Sequence, residues 1–276
     1  MSSLLKTDFL LQALPANKLQ AIPTVFSGVS LDSRKEVKGT VFFAIKGKNF
    51  DGHDFLLQAL DKGAKAFVVS DEKRAQSVLK NKEVTVALVP DTVKALQNLA
   101  QSWLKALDIK VLAVTGSNGK SAVCSFTQTL LSDFSVFASP KSYNNFIGVP
   151  LSLLNVTQKS SFLVQEIGTN APGEIAFLTR LCQPSVSLVT MVAPSHLEGL
   201  KTLESVAQEK RDIYLSSPKA VWIFNKDNPY TKKMWKELGK PNSIYFSTQD
   251  QKAHVRLSFL KESAQKSMIT GWIDGV

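Results

Sequence analysis

Residues 111–121 read VLAVTGSNGKS, four apolar residues running into two glycines, a lysine and a hydroxyl. That order of residue types suits a phosphate cradle. Backbone N–H groups of Gly116, Ser117, Asn118, Gly119 and Lys120 can converge on an anion at a helix N-terminus. Lys120 would then face the outer phosphates and Ser121 would offer its hydroxyl to Mg2+. The turn is shorter than the standard GxxxxGK[ST] loop, because Val114 stands five positions before Gly119. The competing reading is an ordinary glycine turn with a surface lysine. The apolar strand before it and the helical pattern after it favour the cradle.

Five further stretches carry candidate chemistry. In FLVQEIG, Phe162, Val164 and Glu166 fall on one strand face by alternation. A carboxylate at the carboxyl end of a buried strand needs a partner, and ligands of open parallel sheets bind at that end. Glu166 reads either as a Mg2+ ligand or as an acid paired with a structural lysine. His196, in VTMVAPSHLEG, follows another strand; it reads as a cap or core hydrogen bonder, or as a neutral imidazole serving a metal. Leu203, Val206, Lys210 and Ile213 recur at helical spacing, which sets Lys210 on an apolar stripe. Such a lysine snorkels to water or is desolvated with a lowered pKa. A neutral amine can take up CO2 as a carbamate, turning a cation into a metal-binding anion. Asn144 and Asn145 precede the rigid Gly148-Val149-Pro150 turn and supply amide groups. Asn225 and Asp227, in FNKDN, stand at a strand end where a base or ribose can be read.

The elements around these residues predict an α/β protein. VFFAI (41–45), AFVVS (66–70) and VTVALV (84–89) alternate with helical patterns such as 53–64, giving a small N-terminal unit. MSSLLKTDFLLQALPANKLQ reads as a short helix and not as a leader segment. DTVKALQNLAQSWLKAL (91–107) is a helix with Asp91 as its N-cap. From 111 the rhythm becomes strand, loop, helix, with strands at 111–115, 135–139, 162–167, 186–192, 220–224 and 243–247. This alternation predicts a mainly parallel, doubly wound sheet. The tail from 253 reads as an antiparallel hairpin. The expected domains are 1–109 and 110–276.

The chain has 276 residues, a net charge of +10 and two cysteines without metal-ligand spacing. That fits a cytoplasmic setting. No apolar run reaches 18 residues, so no membrane span is expected. Its lysines are scattered and not interleaved with aromatics, which argues against a nucleic-acid partner and suits phosphorylated small ligands or a solvated basic surface.

Taken together, these motifs resemble the Mur ligase family of peptidoglycan synthesis. TGSNGKS is similar to that family's ATP loop, Asn144-Asn145 with Gly148-Val149-Pro150 to its NNxxGVP stretch, and Glu166 in QEIG to its magnesium glutamate. HLEG (196–199) resembles its magnesium-site histidine stretch, Lys210 its carbamylated lysine, and Asn225 with Asp227 its adenine-side segment. LDSR (31–34), VFFAIKG (41–47) and FDGHDF (50–55) resemble the domain that holds the uridine nucleotide. The resemblance implies a UDP-MurNAc-binding domain over 1–109 and a P-loop-type, ATP-binding central domain over 110–276. A third, C-terminal domain of the family has no counterpart in this sequence. The implied activity is ATP-dependent joining of D-alanyl-D-alanine to UDP-MurNAc-tripeptide through an acyl phosphate. Ser121 and Glu166 would hold one Mg2+, His196 and carbamylated Lys210 a second. Asn144 and Asn145 would contact the muramoyl-peptide ligand, and Asp32, Ser33 and Arg34 the uridine side. A monomer is expected. The alternatives are a substrate-binding relative without turnover and another amide ligase of the family, of the folylpolyglutamate kind.

Overall fold

The computed structural model describes residues 5–263 and 266–273. The chain folds as two compact units, one of residues 1–108 with 146–159, the other of 109–145 with 160–276.

The first unit opens with α1 (Thr7–Ala13) and β1 (Asn17–Gln20). The segment read as one short helix therefore divides. Pro15 cannot continue a helix, and the residues after it pair antiparallel with β5 (Thr85–Leu88), covering a sheet edge. Between them come β2 (Val29–Ser30), β3 (Val41–Phe43), a 3-10 turn at Gly52–Phe55, α2 (Leu56–Asp61), β4 (Ala66–Val69) and α3 (Glu72–Leu79). The strand order is β1-β5-β4-β3-β2, parallel apart from β1. Phe42, Phe67, Val69, Val86 and Leu56 form its core. Burying each such side chain contributes roughly 1.5–3 kcal/mol. Next is α4 (Thr92–Leu107), whose Asp91 cap accepts from Val93 N at 2.7 Å and Lys94 N at 3.0 Å.

The second unit begins with β6 (Lys110–Thr115), α5 (Lys120–Leu130) and β7 (Val136–Ala138). The chain then lends α6 (Gly148–Asn155) to the first unit, where it packs on α4 and where Trp103 donates to the Val156 carbonyl at 3.0 Å. A single break at 109/110 does not capture that excursion. The chain resumes with β8 (Phe162–Glu166), α7 (Glu174–Cys182), β9 (Val186–Val189), α8 (Leu197–Leu200), α9 (Leu203–Leu215), β10 (Val221–Asn225), α10 (Pro229–Leu238) and β11 (Ile244–Ser247). β12 (Val255–Ser263) and β13 (Lys266–Ile273) close it as an antiparallel pair.

The order is β13-β12-β11-β10-β9-β6-β8-β7, with every pairing except β12–β13 parallel. From β6 the chain goes out to the edge strand β7, comes back to β8 beside β6, and then crosses to β9 on the other side. That reversal beside β6 is the switch point at which open α/β sheets leave a crevice. The carboxyl ends of β6, β8, β9 and β10 meet there. Among the described residues no helix is long and apolar enough to cross a membrane.

Candidate functional site

The turn between β6 and α5 is shaped by two glycines. Gly116 has φ +150° and a Cβ there would collide with Thr190 Oγ1. Gly119 has φ +85° and forms the N-cap of α5. Both conformations favour glycine. The amides of Asn118, Gly119 and Lys120 have no partner among the described residues, as expected of a helix start. Ser117 differs from the expectation: its N–H donates to Met191 O at 2.9 Å, and its hydroxyl is bonded to Ala193 and Ser195. It faces the segment after β9 rather than the cradle. Lys120 folds back over the turn and donates to Gly116 O at 2.9 Å.

Glu166, at the last position of β8, is 7% exposed. Its Oε2 accepts from Ser121 Oγ at 2.6 Å and its Oε1 from Asn144 Nδ2 at 2.7 Å. Both partners are neutral, so the reading as an acid paired with a structural lysine is not what the fold builds. Asn144 is fixed in turn, because its carbonyl accepts from Gly168 N at 2.8 Å. A Cβ on Gly168 would stand 2.9 Å from the Asn144 amide carbon, so that glycine is required by close approach. Three chain segments thus meet on one carboxylate.

Lys210 is 1% exposed and lies on the buried face of α9. Burial, followed by the nearby Lys120 cation, brings its pKa down to about 8, against the opposing pull of Glu209. The snorkelling reading is thereby overturned. His196 stands at the N-cap of α8 with φ +52°. Its pKa is lowered by partial burial and by Lys210 and Lys120. Lys120, Lys210 and His196 therefore feel one another, forming a basic cluster beside the Ser121–Glu166 pair. A cavity of about 480 Å³ opens next to His196 between the Pro194–Gly199 segment and Asn170. Among the described residues no cluster of three or more His, Cys, Asp or Glu side chains suits a metal ion. One carboxylate and a hydroxyl is the donor set of a Mg2+ that takes its other ligands from water and phosphate. Burial pushes the thiols of Cys124 and Cys182 up to about 12, which leaves them inert.

Asn225 and Asp227 lie at the end of β10, yet their polar atoms are engaged. Asn225 Nδ2 donates to Thr190 O at 2.9 Å and its Oδ1 accepts from Asp227 N. The Asp227 carboxylate accepts from Ser247 Oγ and from the amide and hydroxyl of Thr248, which keeps its pKa low against the effect of burial. These bonds shape the sheet edge.

In the first unit, Arg34 makes a two-pronged contact with Asp32, Nε to Oδ1 and Nη2 to Oδ2, both at 2.9 Å. That hydrogen-bonded guanidinium holds the Asp32 pKa at about 2. Ser33 Oγ donates to Gln58 Oε1 at 2.6 Å. A cavity of about 430 Å³ lies against Asp32–Arg34 and is walled by Ile45, Phe50 and Phe55. Phe50 is 75% exposed, an apolar ring held in water beside a charged pair.

Sequence reasoning did not single out Glu209. It is 5% exposed and accepts from Gly173 N at 2.7 Å, Ile175 N at 2.8 Å and Thr169 Oγ1 at 3.2 Å. It caps α7, whose own N-cap is the side-chain-free Gly173. Its place immediately before Lys210 was the only local hint.

These features define a two-unit α/β protein with a P-loop-type turn, a hydroxyl–carboxylate pair and a buried lysine at the switch point of its second sheet. The Mur ligase middle domain model matches residues 114–275, and the model of the Mur ligase family catalytic domain matches residues 25–103. The chain belongs to the Mur ligase family. It is 36% identical over 255 residues to the UDP-N-acetylmuramoyl-tripeptide–D-alanyl-D-alanine ligase of Haemophilus influenzae, covering 90% of this chain and 54% of that protein. The crystal structure of MurF ligase from Thermotoga maritima in complex with ADP aligns with a TM-score of 0.76 at 30% identity, over 89% of this chain and 56% of that one. MurF from Acinetobacter baumannii shares the fold with a TM-score of 0.83 at 24% identity, over 98% of this chain and 61% of that one. The chain thus spans little more than half the length of these relatives.

Proposed function

We propose that this chain provides the nucleotide-sugar and ATP-binding parts of a cytoplasmic, monomeric ligase that joins D-alanyl-D-alanine to UDP-MurNAc-tripeptide. In this reading residues 1–109 hold the uridine nucleotide through Asp32, Ser33 and Arg34, and residues 110–276 hold ATP. The observation that carries it is the junction of Ser121, Asn144 and Glu166 beside Lys120.

The residues fit the groups the reading requires. The turn has no room for a side chain at Gly116, and free amides line its end. Hard oxygen donors from Ser121 and Glu166 suit Mg2+. ATP and its magnesium would supply the phosphoryl group and the charge that activates the peptide carboxylate as an acyl phosphate, which the dipeptide amine then opens.

The chain's own residues position and neutralise. Lys120 exchanges its bond to Gly116 O for a phosphate oxygen, and the amides of Asn118, Gly119 and Lys120 donate to the same anion. Asn144 orients the Glu166 carboxylate, and Asn145 follows it on the same segment toward the muramoyl-peptide ligand. Ser117, Asn225 and Asp227 shape the crevice from behind, in place of the direct nucleotide contacts expected for them. Lys210, with its lowered pKa, is suited to form a carbamate: its neutral Nζ bonds to the carbon of CO2 and releases one proton. The resulting anion, with His196, would serve a second Mg2+.

Calorimetric titration with a non-hydrolysable ATP analogue and Mg2+, then with UDP-MurNAc-tripeptide, tests this reading. Saturable binding of both ligands, with loss of the nucleotide signal in Lys120→Ala, is expected. A folded chain that binds neither overturns it. A carbamate signal in 13C NMR after addition of labelled bicarbonate, absent from Lys210→Ala, is expected for the modified lysine.

A further inference from the structure

Between β9 and α8 the chain runs without helix or strand through Thr190–Ser195, with a bend at Pro194, before it reaches His196. Its first residue still bonds β6, with Thr190 N donating to Thr115 O at 2.9 Å, but from Met191 onward the strap lies outside any strand ladder. There its peptide groups are met by the backbone and side chain of Ser117 on one side and by the side chain of Asn228 on the other. On one side, Ser117 N donates to Met191 O at 2.9 Å. Ser117 Oγ accepts from Ala193 N at 2.9 Å and donates to Ala193 O at 2.7 Å. The Ser195 hydroxyl, 3.0 Å from Ser117 Oγ, completes that set. On the other side, Asn228 Nδ2 donates to Val192 O at 3.0 Å, and Val192 N donates to Asn228 Oδ1 at 3.4 Å.

The alternation is that of a β-strand. Peptide groups of 191 and 193 face the phosphate loop, and those of 192 face the end of β10. The Ser117 hydroxyl and the Asn228 carboxamide each present a donor and an acceptor to one strap residue, as a peptide group does. The strap ends at His196, whose left-handed φ of +52° is uncommon for a residue with a side chain and persists only where the surrounding structure holds it.

We propose that Ser117 and Asn228 are positioning residues for His196. They clamp the strap from both sides, so that His196 is placed by the phosphate loop on which Ser117 sits. The role extends the proposed function, in which His196 works at the phosphate end of the nucleotide. It also explains why a residue in the middle of a phosphate loop turns both its amide and its hydroxyl inward.

The chain contains three histidines, His53, His196 and His254, so the ring signals of a histidine-labelled sample can be assigned with one variant each. Two substitutions separate the clamp from general stability. Ser117→Ala removes the hydroxyl and keeps the amide bond to Met191. Asn228→Asp removes the donor to Val192 O, yet keeps an oxygen for Thr231 N, 3.3 Å away, and so preserves the cap of α10. In the ligand-free protein both substitutions are expected to shift or broaden the His196 signal. The His53 and His254 signals and the thermal midpoint should stay in place, and Ser117→Thr should restore His196. A non-hydrolysable ATP analogue with Mg2+ is expected to move the His196 signal of the wild type. Ser117→Ala should reduce that movement by half or more while the nucleotide Kd changes by less than about threefold. An identical His196 signal in wild type and both variants overturns the proposal. Failure of the wild type to bind nucleotide, with His196 still displaced in the ligand-free variants, overturns the proposed function and leaves the clamp standing.

Discussion

The sheet of the first unit is packed with Phe42, Phe67, Val69 and Val86, whereas the second unit buries Glu166 at the end of a central strand and Glu209 and Lys210 on a helix beside it. Among the described residues every buried Glu or Lys lies in the second unit. Both units use a mainly parallel sheet with helices against it, so the difference does not come from architecture. It comes from what stands at the carboxyl edge. Burying an ionisable group is unfavourable unless it is hydrogen-bonded or paired. The second unit meets that cost for its carboxylates with neutral donors, three of them on Glu209 and two on Glu166. Lys210 is left with a depressed pKa. The first unit keeps one of its charged pairs, Asp32 and Arg34, at the rim of an apolar cavity, where water does much of the work, and its one buried ionisable side chain among the described residues is His53, held by Asp51 at 2.6 Å. One region is built for packing and the other for placing charge.

The sharpest way to break this contrast is in the apolar core. Phe67→Ala should destabilise the first unit by about 3–5 kcal/mol through lost burial and a residual cavity, read as a fall in the denaturant midpoint. A change below about 1 kcal/mol would mean that this core is not close-packed.

Lys210 should behave in the opposite sense. Its folded pKa of about 8 lies below the usual lysine value of 10.5, so the unfolded chain binds more protons between those values. Below pH 8 the cost of burying the charge is fully present; it fades as pH rises toward 10.5. Lys210→Met should therefore raise stability at pH 7 by up to roughly 3 kcal/mol at 1.36 kcal/mol per pKa unit, a gain that vanishes above pH 10.5. CO2-depleted buffer keeps the amine unmodified. Equal or lower stability of the variant at pH 7 would show that the lysine is already satisfied.

Glu166→Gln keeps the shape of the junction and removes its charge. Binding of the Mg2+-bound ATP analogue should weaken about tenfold, or ~1.4 kcal/mol, with an unchanged thermal midpoint. Undiminished Mg2+-dependent binding would remove Glu166 from the metal site.

The smallest effect belongs to the exposed pair. Arg34→Ala should lower stability at pH 7 only slightly, since exposed ion pairs contribute little. Asp32 has its folded pKa depressed from 3.8 to about 2, so its contribution is present above pH 3.8 and is lost as pH falls through about 2. The variant should show a shallower loss of stability across that acid window. A large effect at neutral pH would mean that the cavity depends on the pair for its shape.

Much of this was legible in the chain because the signals are local. The apolar run before Gly116 and the lysine after Gly119 mark strand, turn and helix within ten residues. Alternation puts Glu166 at the end of β8, and helical spacing puts Lys210 on a buried stripe. Pro15 was the local sign that the N-terminal helix would stop, but the strand after it depends on an edge 69 residues away, through Lys18 opposite Ala87.

The amino-acid sequence by itself determined the alternation of strands and helices and the residue types that stand at the strand ends, because periodicity and glycine turns act over a few positions. Only the tertiary structure decided which way Ser117 faces, which donors occupy Asp227, that α6 belongs to the first unit and that Glu209 caps α7. Those outcomes depend on partners far along the chain, 76 residues for Ser117 and Ala193, 34 for Glu209 and Ile175. A buried polar group takes whichever donor the packed elements bring within reach, and no local pattern encodes that neighbour.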